Sequence, residues 1–131
     1  MIRVLIDRNL EGKSLLLWGT LAAQGWLDEI PLRFITFSDV NLPFDSDDRT
    51  VWRFAQTHGM VLFTDNRNMK GQDSLEQTIR EENTTASLPV ITLGSIRRLD
   101  EKAYREQCAE RLIEIAIYID DYLGTGRVFI P

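Results

Sequence analysis

The chain has 131 residues, 44% of them hydrophobic and 27% charged, which fits one globular domain (1–131) and excludes the compositions of disordered or fibrous chains. Its net charge of −5 is unfavourable for general nucleic-acid binding through a basic surface. It leaves open an enzyme that meets phosphate through metal ions, with acids as ligands and the cation supplying positive charge.

Arg3-Val4-Leu5-Ile6 is a β-branched run ending in Asp7 and predicts strand one. Helix one follows from Gly12 or Ser14 to Gln24, with Leu17 and Leu21 on one face and Gly25 as its stop. Leu32 to Phe37 predicts strand two, ended by Ser38-Asp39, and Asn41 to Ser46 with Pro43 is a loop. Helix two begins near Ser46, with Asp47 and Asp48 in its first turn, where carboxylates suit the helix dipole. Val51, Phe54 and Ala55 form its inward stripe, and Gly59 closes it.

Val61-Leu62-Phe63-Thr64 predicts strand three, followed by the polar run Asp65-Asn66-Arg67-Asn68. Asp73 and Glu76 have capping-box spacing, which starts helix three; it runs through Leu75 and Ile79 and frays near Asn83. Pro89 to Leu93 is strand four, and Asp100 caps a long fourth helix with apolar positions 108, 112, 115, 119 and 122. Gly124-Thr125-Gly126 turns the chain into a fifth strand, Val128 to Ile130. The alternation implies a three-layer α/β/α sandwich with a mostly parallel five-stranded sheet and right-handed crossovers.

Ligands of such sheets bind beyond the carboxyl ends of the strands, where strand order reverses. With strand one central, Asp7 and Asp65 flank that crevice, and Asp48 faces the same edge. Three carboxylates without histidine or cysteine suit a hard cation such as Mg²⁺ or Mn²⁺. Such an ion activates water for phosphodiester hydrolysis. Asn66, Arg67 and Asn68 could orient a phosphate or water, or simply form the loop. Arg8 and Lys70 fall near the same rim. Asp39 is expected in a turn, Asp47 at a helix start, His58 at a helix end and Cys108 in the core.

Other chemistries lack their residues. One cysteine, Cys108, excludes an internal disulfide, and one histidine, His58, excludes a His-based cluster. There is no G-x-S-x-G elbow, no dinucleotide glycine fingerprint after strand one and no Walker sequence. The N-terminus shows a strand pattern rather than a signal peptide, and no apolar run approaches the roughly 20 residues of a membrane span. With the lone thiol, this predicts a cytoplasmic location and no membrane partner.

The chain resembles the small bacterial PIN-like proteins, a branch of the PIN-domain nuclease superfamily. Asp7-Arg8-Asn9-Leu10 stands where that branch has D-E-N-L, and Leu42-Pro43 followed by Ser46-Asp47-Asp48 matches its leucine-proline loop and acidic helix start. Ala55, Gly59 and Thr64 hold the places of its second-helix alanine, its glycine and the threonine of T-x-D-x-D-F. The match covers roughly the first seventy residues; from Lys70 onward only the alternation of elements agrees. Arg8 replaces the second acid of the family, Asn66 and Asn68 stand where it has aspartates, and Asp65 comes one position early.

The resemblance implies a metal-dependent endoribonuclease, with Asp7, Asp48 and Asp65 as catalytic and metal-holding residues. Asn9, Asn66, Arg67 and Asn68 would then contact substrate. It also implies RNA as substrate and, as protein partner, an antitoxin. The substituted acids raise the alternative of a catalytically degenerate PIN-like domain that binds a protein or a nucleotide. Trp18, Trp26, Trp52 and the apolar helix four suggest a homodimer.

Overall fold

The central strands are nearly continuous apolar runs whose side chains point alternately to two covered faces. The structure, a computed structural model, describes residues 1–67 and 70–131. Its elements are β1 (Ile2–Ile6), α1 (Glu11–Ala23), α2 (Trp26–Glu29), β2 (Leu32–Ile35), α3 (Asp48–Thr57), β3 (Met60–Thr64), α4 (Leu75–Glu82), β4 (Val90–Leu93), α5 (Lys102–Ile117) and β5 (Arg127–Ile130). All strand pairs are parallel, in the order β2-β1-β3-β4-β5.

On one face Val4, Ile6, Phe63, Ile91 and Leu93 meet Leu17 and Leu21 of α1 and Cys108, Leu112 and Ile115 of α5. On the other, Leu5, Met60, Leu62 and Val90 meet Val51, Trp52 and Ala55 of α3 and Leu75 of α4. The result is the expected α/β/α sandwich, with a sheet that is parallel throughout. Leu5 and Phe63 are fully buried, and each such side chain contributes about 1.5–3 kcal/mol by leaving water.

The connections carry one departure. β1→β2 and β4→β5 cross on the same face but move toward opposite edges of the sheet, so their hands are opposite. β2→β3 and β3→β4 cross on the other face and share the hand of β1→β2. Because about 98% of parallel crossovers are right-handed, the β4–α5–β5 unit is the left-handed exception. The cause is coverage. α3 and α4 already occupy one face, and α5 brings Tyr104, Cys108, Ala109, Leu112, Ile113, Ile115 and Ala116 to the face that α1 alone would leave half bare.

Several local expectations are corrected. Gly25, at φ +79°, stops α1 as expected, but the chain then makes the unforeseen short turn α2, whose Trp26 and Leu27 pack on the core. Ser74 rather than Asp73 caps α4, its hydroxyl accepting from the Gln77 amide at 3.1 Å. Asp73 pairs with Arg49 instead. Asp100 ends a 3-10 turn (97–100) and pairs with Lys13, so α5 starts one residue later, at a Glu101 cap without a side-chain bond. Trp52 is buried, and Trp18 and Trp26 pack against the core, so these rings do not form an exposed face. Among the described residues, no helix is long and apolar enough to cross a membrane.

Candidate functional site

The order β2-β1-β3 places the reversal of strand order between β1 and β3, and a pocket of about 230 Å³ opens there. Asp7, Arg8 and Asn9 from the end of β1, Ser46 and Asp48 from the start of α3, and Thr64 and Asn66 from the end of β3 line it. Phe37, Val51, Leu62 and Leu75 supply its apolar wall. Asp7 and Asp48, far apart in sequence, therefore share one cavity.

Each carboxylate is fixed by a donor from a different element. The Thr64 hydroxyl donates to Asp7 Oδ2 at 2.6 Å, and Thr64 Oγ1 in turn accepts from the Asn66 amide at 2.9 Å. Asp48 Oδ2 accepts from the Leu75 amide at 3.0 Å, satisfying one of the N–H groups that a helix start leaves without an intrahelical partner. Asp47 is the true cap of α3, accepting from the Thr50 amide at 2.8 Å, as its helix-start assignment requires. That frees Asp48 from capping its own helix and turns it toward α4.

Electrostatics separate these acids. Burial raises the Asp7 carboxyl above its ordinary value; the Thr64 bond opposes this, and the charges of Asp65 and Asp48 add to it. Among the described residues, no lysine or arginine forms an ion pair with Asp7, Asp48 or Asp65. Arg8 and Arg67 likewise pair with no carboxylate there. Arg8 donates instead to the Phe44 carbonyl.

The sequence-derived candidates divide accordingly. Asp7, Asp48, Asn9 and Asn66 come together in the pocket. Asp65 stands close enough to act on Asp7 through its charge but does not line the cavity. Arg67 is exposed beside it, and the Asn68 assignment lies outside the described residues. Asp39 is a turn residue, its Oδ2 accepting from the Thr36 amide at 2.9 Å. His58 ends α3, its Nδ1 2.9 Å from the Phe54 carbonyl oxygen. Cys108 is buried, and desolvation pushes its thiol up to about 12, as an inert core residue requires.

Two supporting residues escape notice in the sequence. Thr64 holds a motif place there but has no assigned role, yet it is the bond that orients Asp7. Arg127 reads as no more than the flank of the fifth strand. Its guanidinium donates to the Asn66 carbonyl at 2.8 Å and to Thr92 Oγ1 at 2.7 Å, and pairs with Glu76 at 3.1 Å. It thus ties the end of β3 to β4 and α4. A lone cation opening an apolar strand is the only signal, and it does not name a partner.

Among the described residues, no three histidine, cysteine or acidic side chains form a metal-holding group. Two carboxylates with neighbouring hydroxyl and amide oxygens are nonetheless a donor set that fits Mg²⁺, which commonly uses one or two carboxylates, several waters and substrate phosphate. No family model, curated protein or solved structure matches this chain.

Proposed function

We propose that this chain is a PIN-like endoribonuclease that hydrolyses phosphodiester bonds with Mg²⁺ or Mn²⁺ held at Asp7 and Asp48. The observation that carries this reading is the pair itself: two carboxylates from different elements lining one pocket at the strand ends, with no cation paired to either among the described residues. A bound divalent ion would supply Lewis-acid activation of water and stabilise charge developing on the phosphate. Asp7 and Asp48 would hold it through oxygens already oriented by Thr64 and the Leu75 amide. Asp65 would add negative potential from the edge. Asn9 and Asn66 line the cavity with amide groups suited to placing substrate oxygens, and Arg67 would meet phosphate outside it.

The test is cleavage of single-stranded RNA with Mn²⁺, alongside EDTA and Asp7→Asn controls. Metal-dependent cleavage that vanishes in both controls is expected; activity surviving in the Asp7→Asn protein would falsify the reading.

The second reading is a catalytically degenerate PIN-like domain that binds a protein, such as an antitoxin, or a nucleotide. Its support is the absence, among the described residues, of a three-acid group, with Asp65 outside the cavity and Arg8 in place of an acid. Calorimetry separates the two, since Mn²⁺ binding in the micromolar range that Asp7→Asn removes favours the nuclease.

A further inference from the structure

From Ser14 to Leu27 the chain carries no charged residue, although α1 lies on the outside of the sandwich. The inner face of α1, Ser14, Leu17 and Leu21, is buried. At about 3.6 residues per turn, Gly12, Leu15, Leu16, Gly19, Ala22 and Ala23 fall together on the opposite face. All of them are exposed, Leu15 by 70%. A surface helix ordinarily turns charged and polar residues outward, and a helix apolar on every side is one that is covered on every side.

This face opens along one side into a groove of about 520 Å³ against the start of α5. The two helices run in the same direction. Lys13 pairs with Asp100 at one end, and Arg105 donates to Thr20 Oγ1 at 3.4 Å further along. Lys102 therefore lines the groove toward the start of α1, and Glu106 lines it toward the end. Neither forms an ion pair among the described residues.

We propose that this face is where two copies of the chain meet, their α1 helices antiparallel about a two-fold axis at Gly19. The groove and the Asp7 pocket share no residue, so the proposal stands apart from the nuclease reading.

The face fits a second copy better than any other occupant. Its large and small residues are segregated: Leu15 and Leu16 lie about one turn before Gly19, and Ala22 and Ala23 about one turn after it. An antiparallel pair sets the leucines of each copy on the alanines of the other, which is the self-complementarity a two-fold contact requires. On the axis, Gly19 meets Gly19. Nothing lies within 4 Å of a Cβ built at Gly19, so the fold itself gives no reason for a glycine, which weakens a helix relative to alanine. Close approach of a second helix does give one. Reversal of direction also brings Lys102 of each copy to Glu106 of the other, twice. A partner of single charge sign would match one of these groups and repel its neighbour.

The experiment is sedimentation equilibrium of the whole chain at low salt, from about 1 to 100 µM. A monomer–dimer equilibrium is expected. Leu15→Glu combined with Leu16→Glu should raise the dissociation constant by about thirtyfold or more, because both charges would be buried at the centre of the contact. Lys102→Glu and Glu106→Lys should each raise it by about fivefold, and the two together should restore it. Circular dichroism checks that each variant keeps its helix content. Should the leucine variant fail to fold, the charge exchange decides alone.

A monomer over the whole range overturns the proposal. So does a dimer that the paired leucine substitutions leave intact, since it would use another face. A double charge variant that associates no better than the single ones overturns the antiparallel pairing.

Discussion

Helix α3 has two acidic neighbourhoods, and they behave in opposite ways. Along its flank with α4, Asp73, Glu81 and Glu82 pair with Arg49, and Glu82 also pairs with Arg53. Hydrogen bonds from Gln77 and Arg49 hold Glu81 below the usual carboxylate range, and the Arg53 guanidinium does the same for Glu82. At its start, Asp7 is held above that range by burial and by two like charges, with no compensating cation among the described residues. Acids that tie elements together are neutralised by the fold. On the proposed reading, the acids left uncompensated in the cleft are where a divalent cation would bind.

The largest expected contrast is in activity. Asp7→Asn or Asp48→Asn should each cut Mn²⁺-dependent RNA cleavage by about a hundredfold or more, on the scale of losing a group that stabilises developing charge. Glu81→Gln should leave initial rates near those of the unaltered protein. Equal losses at the flank and in the pocket would erase the distinction.

Next in size is Arg127→Met. The Arg127 side chain is only 11% exposed, and its loss leaves Glu76, the Thr92 hydroxyl and the Asn66 carbonyl without their donor. Urea unfolding should register a loss of about 2–3 kcal/mol, below the full cost of breaking a fully buried pair because Glu76 is 28% exposed. A change well under 1 kcal/mol would mean this tie does little.

The same contrast governs what the sequence reveals. Five strands and four of the helices are legible because their apolar periods are local, and Asp7 and Asp48 are legible because strand ends and helix starts define the edge they share. Thr64 and Arg127 are not, because their meaning lies in pairs brought together by the fold: Thr64 with Asp7 across β1 and β3, Arg127 with Asn66 from the far side of β4. Spacing alone also misplaces the α4 cap. Asp73 and Glu76 look like a box, but Arg49 claims Asp73, Arg127 claims Glu76, and Ser74 is left to cap. The side taken by α5 is hidden for a related reason, since it depends on which face the other helices leave open.

Smaller effects sharpen the comparison through stability. Asp47→Ala should cost about 1 kcal/mol by removing the α3 cap. The Thr50 amide, the main cause, holds Asp47 below its ordinary 3.8, so its contribution to stability is present above that value and is lost as pH falls through the lower folded value.

Asp7 has the opposite sign. Its folded form holds the proton more tightly than the unfolded chain, so its contribution favours folding below 3.8 and disappears as pH rises through the raised folded value. Asp7→Asn keeps an oxygen for the Thr64 hydroxyl but removes the buried charge. At neutral pH it should therefore stabilise the protein by about 1 kcal/mol, or about 4 °C in melting temperature. The gain should shrink as pH is lowered toward 3.8, because the native side chain then sheds the same charge by protonation. Mn²⁺ should narrow the gap from the other direction by raising the melting temperature of the unaltered protein but not of Asp7→Asn. A substitution that loses activity while gaining stability at neutral pH, and that loses its response to the ion, is hard to reconcile with a structural Asp7. If Asp7→Asn melts lower than the unaltered protein at neutral pH, the carboxylate is holding the fold together, and the pocket belongs with the paired flank.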